Sequence, residues 1–168
     1  MDPVDSDVLF GEGPSAAVTM SALLELMPQT HPFLYVDRIC EVDAHHIVTE
    51  YTFRKTEWLY QGHFSDGAMT PGVIHLEAMA QAGLVLQGIY LLALELPLNE
   101  VKQYRGLFTD SSVEWFAPIR PEETVRVTSN VLAWRRQRIR AKAEMWTIDG
   151  VLVASATMAG KGILWTGE

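Results

Sequence analysis

Apolar residues change their spacing several times along this chain, and each change marks an element. From Met20 to Met27 they recur at helical spacing behind Thr19 and Ser21, either of which can cap a helix, and Pro28 ends the pattern. HPFLYVDRICEVD then alternates into a strand, and HHIVTEYTFRK is its expected hairpin partner across a short polar turn at Asp43-Ala44. Pro71 opens a long helix, where its missing N–H costs nothing. That helix runs to about Leu94, is apolar nearly all round, and is followed by Pro97. Strand-like segments come next at roughly 104–117, 123–134, 137–148 and 151–163. Pro118 and Pro121 bracket one turn, and Asp149-Gly150 is a strong hairpin signal.

Short helix, two strands, long buried helix, then about four strands: this order predicts the α+β class, with an antiparallel sheet wrapped around the long helix. No repeat or domain boundary interrupts residues 19–168, so one domain is expected there. One sheet and one fully buried helix enclose each other incompletely, and a second copy is expected to close the structure.

Composition narrows this further. A hydrophobic share of 48% over 168 residues suffices for a real core. The net charge of −8 argues against a general nucleic-acid binder. Cys40 is the only cysteine, so no intrachain disulfide forms; that fits a reducing, cytoplasmic setting, with Cys40 a small core residue of its strand. Residues 1–18, MDPVDSDVLFGEGPSAAV, are acidic, Gly/Pro/Ser-bearing and lack a basic signal-peptide region, and are read as a flexible leader. Val73 to Leu98 is apolar enough to raise a membrane span, but Glu77, Gln81, Gln87 and Glu95 interrupt it, and its unbroken apolar part falls short of the roughly 20 residues needed. A buried helix is expected instead.

One of those interruptions carries chemistry. On a helix, Glu77 neighbours Val73, Ile74, Ala80 and Gln81, so no Lys or Arg stands at pairing distance along the helix. Glu77 either lies at a wet helix edge, pairs with a cation from elsewhere, or is a carboxyl whose pKa rises until it can donate a proton near neutrality. His63, fourteen residues earlier, sits in a Gly-rich loop that feeds a helix N-terminus. Imidazole can act there as a base, and the free N–H groups around Gly72 favour developing negative charge. A base, an acid and amide donors are the parts needed to remove a proton beside a carbonyl and expel a β-hydroxyl. His75 is read as a tolerated polar replacement in the same helix.

QGHF…TPGVIHLEAMAQAG resembles the active-site signature of the β-hydroxyacyl-acyl carrier protein dehydratases, the FabZ family with its hot-dog fold. LLELMPQTHPFLYVDRI is similar to that family's amino-terminal motif, and VEWFAPIRPEETVRV to its later Pro…Pro turn, with Trp115 at the aromatic position. The resemblance spans about residues 20–163. It implies His63 as base, Glu77 as acid, Gly72 as the main oxyanion N–H, and Phe64 and Val73 lining an acyl tunnel. It also implies dehydration of (3R)-3-hydroxyacyl thioesters to trans-2-enoyl thioesters, with no cofactor and no metal. The substrate would arrive on the phosphopantetheine of acyl carrier protein. The two residues of one site would come from two subunits of a homodimer or trimer of dimers, with a sister dehydratase subunit as a further partner. A Glu where the isomerising relatives carry Asp favours dehydration without double-bond migration.

The loop departs from the family pattern: Ser65-Asp66-Gly67-Ala68 lacks two usual prolines, which predicts extra backbone freedom and a charge near the site. Glu122-Glu123 replaces a usual Gly-Asp. These departures point to substrate preferences outside housekeeping fatty acid synthesis, such as a specialised polyene, polyketide or lipid pathway. In WRRQRIRAK, alternation predicts Arg136, Arg138, Arg140 and Lys142 on one strand face. That stripe is either a charge-protected solvated face or a dock for an acidic carrier protein. Alternatives to the dehydratase are an acyl thioesterase, a hydratase acting on acyl-CoA, and a silent hot-dog subunit that binds acyl chains.

Overall fold

A single long helix packs across one face of a six-stranded sheet. The computed structural model describes residues 18–167. Residues 1–17 of the expected leader lie outside the described residues, whereas Val18, its last position, is buried in the core.

Helix α1 spans Met20–Glu25, and Thr19 rather than Ser21 caps it, its hydroxyl accepting from the Ala22 N–H at 3.2 Å. Strands β1 (Arg38–Val42) and β2 (His46–Thr52) form the expected hairpin, whose turn is held by Asp43 Oδ1 accepting from the N–H groups of His45 and His46. Helix α2 runs Gly72–Glu95, with Pro71 in the cap position and a π-helical stretch at Gln81–Leu86 interrupting it. A short α3 (Leu98–Val101) leads into β3 (Tyr104–Trp115), β4 (Thr124–Arg135), β5 (Arg138–Thr147) and β6 (Leu152–Leu164). The four strand segments expected from the sequence are these four, each within two residues.

All pairings are antiparallel, in the order β1-β2-β4-β5-β6-β3. The first half of α2 packs Ala78 and Met79 onto small inward residues of the central strands, among them Ala141, Ala143, Ala154 and Ala156. Gly83 is required at the closest approach, because a Cβ there would collide with the Ser129 hydroxyl of β4. The second half of α2 buries Leu86, Ile89 and Leu92 against α1, β1 and the segment between them through Leu23, Val36 and Ile39. α2 is long and apolar enough to span a membrane by length and composition, but most of that stretch is buried in the fold.

Enclosure is one-sided. β3 pairs only with β6, so its other edge carries unpaired backbone groups along 12 residues among the described ones. Leu107, Phe108, Trp115 and Phe116 are exposed on or beside that strand, and Val73 at the start of α2 is 67% exposed. An apolar border of this kind is what a partner normally covers.

Candidate active site

His63 belongs to the loop between a 3₁₀ turn (Trp58–Gln61) and α2. Its Nδ1 lies 2.9 Å from the Met69 carbonyl oxygen, which can only accept, so Nδ1 carries a hydrogen, and in the neutral ring the lone pair sits on Nε2. The ring stacks on Phe64 at 3.8 Å between centroids. The loop that lacks prolines is closed by its own backbone: Phe64 and Gly67 exchange N–H···O bonds of 3.1 and 3.3 Å, and the Met69 N–H donates to His63 O at 3.0 Å. The Thr70 N–H then fastens the loop end to Ile119 O at 2.8 Å.

Gly72 is the first residue of α2, and no acceptor among the described residues takes its N–H or that of Val73. The Trp115 indole donates to the Gly72 carbonyl at 2.9 Å and lies so close that a Cβ at Gly72 would sit 3.0 Å from it. Glycine is therefore what lets β3 and the head of α2 meet.

Glu77 is half-buried, and no cation pairs with it among the described residues. Its Oε1 accepts from the amide of Gln81 at 2.9 Å. Gln81 is fully buried and satisfied at both ends: Oε1 accepts from the Tyr35 N–H at 2.8 Å, and Nε2 donates to Phe33 O at 2.8 Å. Gln81 opens the π-helical stretch, a feature frequent at functional positions. It was visible only as a polar interruption; that a Gln four residues beyond an acid can hydrogen-bond to it was the signal available. No hydrogen bond or ion pair joins His63 to Glu77 within one chain.

Glu77 also lines a cavity of about 190 Å³ between α2 and the β3, β5 and β6 strands. Phe64 and Val73 do not line this cavity; both lie exposed beside the loop and helix head. His75, two residues before Glu77, is buried against Phe53 with neither ring nitrogen partnered, and burial pushes its pKa down to about 4. Among the described residues no His, Cys, Asp and Glu cluster could hold a metal.

The basic stripe needs one correction. Arg138, Arg140 and Lys142 do share the exposed face of β5, but Arg136 does not belong to the strand. It forms the β4–β5 turn with Gln137, both in the left-handed region at φ 51° and 58°. Two polar residues form that turn, and sequence alternation reads straight through it. Arg140 faces Asp110 at 3.3 Å and Lys142 faces Glu144 at 3.4 Å, so part of the stripe is neutralised. Glu122 adopts φ 72°, the conformation natural to the glycine usual there. Cys40 is half-buried, and burial raises its thiol pKa.

A family model described as the FabA-like domain matches residues 27–157. The chain is 31% identical over 146 residues to the 3-hydroxyacyl-[acyl-carrier-protein] dehydratase FabZ of Solibacter usitatus, covering 87% of this chain and 86% of that one. The dehydratase heterocomplex ApeI:P from Xenorhabdus doucetiae superposes with a TM-score of 0.67 at 14% identity, over 84% of this chain and 90% of that chain. The thioesterase HI1161 from Haemophilus influenzae does so with a TM-score of 0.63 at 12% identity, over 92% and 96%. At such identities the two structures speak to the fold alone, which is the hot-dog fold.

Proposed function

The chain belongs to the FabA-like family, and from that premise we propose that it dehydrates (3R)-3-hydroxyacyl thioesters carried on acyl carrier protein. The observation that carries this reading is Glu77: an acid without a cation partner among the described residues, held by a buried amide in the wall of a largely apolar cavity. His63 supplies the base. With Nδ1 engaged by Met69, Nε2 removes the proton beside the thioester carbonyl. The N–H groups of Gly72 and Val73 receive the charge that develops on the carbonyl oxygen, helped by the helix dipole. Glu77 gives its proton to the β-hydroxyl, the carbon–oxygen bond breaks, and water and a trans-2-enoyl thioester leave. Phe64, stacked on His63, and Val73, at the helix head, border the entrance.

No hydrogen bond joins His63 to Glu77 within one chain, and the complete site is read as taking the base from one subunit and the acid from another. The unpaired β3 edge, with its exposed Phe108 and Trp115, is the surface on which a second copy, or a sister dehydratase, would pair. A homodimer or trimer of dimers in the cytoplasm, serving fatty acid synthesis or a specialised polyene, polyketide or lipid pathway, follows from this reading. Arg136, Arg138 and Arg140 lie together along one groove and offer an acidic carrier protein its dock. Arg136→Glu with Arg138→Glu is expected to raise KM for carrier-bound substrate about tenfold while sparing a small thioester; equal effects on both would remove the dock.

The deciding experiment incubates the protein with a 3-hydroxyacyl thioester and follows loss of water by mass alongside free thiol release. An enoyl product is expected. Thiol release without dehydration would establish a thioesterase, the reading that the shared fold keeps as the alternative.

A further inference from the structure

We propose that Gly88 and Gly106 are the length-setting residues of this site, and that they commit it to long-chain 3-hydroxyacyl thioesters. The proposal rests on the dehydratase reading for the identity of the ligand, and on the cavity for everything else. The cavity is lined by Gly88, Gly106, Gly160 and Gly162, of which Gly162 would place a Cβ 3.4 Å from Gln137 and Tyr104, and Gly83 lies on the helix beside it. Gly83 and Gly160 have packing reasons: a Cβ on the first would collide with Ser129, and on the second would lie 3.2 Å from the Leu107 carbonyl. Gly88 and Gly106 have none. A Cβ at Gly88 would meet nothing within 4 Å beyond its own helix, and one at Gly106 would meet only a Val85 methyl at an ordinary 3.6 Å.

Glycine inside a helix is a poorer choice than alanine on backbone grounds alone, and here no neighbour forbids alanine. The space over Gly88 and Gly106 is therefore kept open against local stability, and it belongs to the cavity that Glu77 lines. Along α2, Gly88 stands eleven residues beyond Glu77, about 16 Å at helical rise. Leu92 and Trp134 also line the cavity, with the indole of Trp134 fixed by donation to Glu95 Oε1 at 2.7 Å. Leu84, Val85 and Ile89 make the helix wall between Glu77 and Leu92 apolar, while Gln29, Arg105, Gln137 and Lys161 line other parts of the cavity. A chamber with an acid at one part of its wall, an apolar helix face beyond it and an anchored indole among its far lining suits an extended acyl tail.

The test compares kcat/KM on 3-hydroxybutyryl and 3-hydroxypalmitoyl thioesters for the wild type, Gly88→Leu and Gly106→Val. It also measures binding of cis-parinaric acid by fluorescence. Gly88→Leu should lower kcat/KM on the long substrate about a hundredfold, since it displaces several methylenes, and lower it at least about tenfold less on the short one. Gly106→Val should act in the same direction from the strand side. Gly88→Ala, a smaller change, should raise Tm and already disfavour the long chain. Loss of parinaric acid binding in Gly88→Leu supports the chamber even if the wild type dehydrates no thioester, an outcome that would sink the dehydratase reading alone. Equal losses on both substrates, or unchanged parinaric acid binding, would overturn the length-setting role. So would a Gly88→Leu chain that becomes monomeric, because the groove would then be filled by a second copy.

Discussion

Glu50 and Glu77 are both largely withdrawn from water, and they are held in opposite ways. Glu50, on β2, lies between two guanidiniums: Arg38 reaches Oε2 at 2.5 Å and Arg126 reaches Oε1 at 2.6 Å. Burial alone would raise its pKa, but the bonds from Arg126 and Arg38 outweigh it and hold the carboxyl below the usual range. Glu77, on α2, has a neutral amide for a partner. A carboxylate clamped by two cations loses both attractions if it takes up a proton, and so it stays charged. Glu77 has no such clamp: the only hydrogen bond to its carboxylate among the described residues comes from the neutral Gln81 amide. His75 completes the series, buried with no partner at all. The three groups differ in what faces them: two guanidiniums at Glu50, one amide at Glu77, and no hydrogen-bond partner at His75.

The contrast can be broken most forcefully at Glu77. Glu77→Gln and His63→Ala should each lower kcat for dehydration by on the order of 10² to 10⁴, with circular dichroism and Tm close to wild type. Retained turnover in either variant would return that residue to a packing role.

Next in size is His75. Its pKa falls from 6.5 in the unfolded chain to about 4 in the fold, so the folded state prefers the neutral ring. Stability is whole above pH 6.5 and declines as pH falls toward 4, because only the unfolded chain takes up the proton in that window. The decline amounts to about 3 kcal/mol. Urea denaturation of His75→Leu at pH 7 and pH 4 should show that part of the loss removed; an unchanged acid slope would count against it.

Gln81→Leu should cost about 1–3 kcal/mol, since it strands the Tyr35 N–H and the Phe33 carbonyl, and it should lower kcat more than it changes KM by releasing Glu77. The smallest effect belongs to Glu50→Gln. Its two arginines are half or more exposed, so about 1 kcal/mol of stability is expected to go while dehydration is untouched. Together, the two Gln variants of the two acids should separate stability from activity.

Much of this was written in the sequence. Strand limits at β3 through β6 follow from alternation and from Pro118, Pro121 and Asp149-Gly150, because those residues impose backbone geometry locally. Thr19 and Pro71 mark their helices for the same reason. The lack of a cation near Glu77 was legible because helical spacing is fixed. What stayed hidden depends on distant partners. Gln81 bonds to Phe33 and Tyr35, 48 and 46 residues away, and nothing local announces it. The Arg136-Gln137 turn hides in an alternating run of charges. The polar-looking His75 proves to be core, since α2 turns that face toward Phe53 of the sheet side.

The bare edge of β3 has a consequence for how activity should be counted. If catalysis needs a base and an acid from two chains joined along that edge, turnover is a property of pairs, and specific activity falls as the protein is diluted. Two dead preparations, His63→Ala and Glu77→Gln, would then revive each other when their chains are exchanged, because each mixed pair inherits one site with nothing missing.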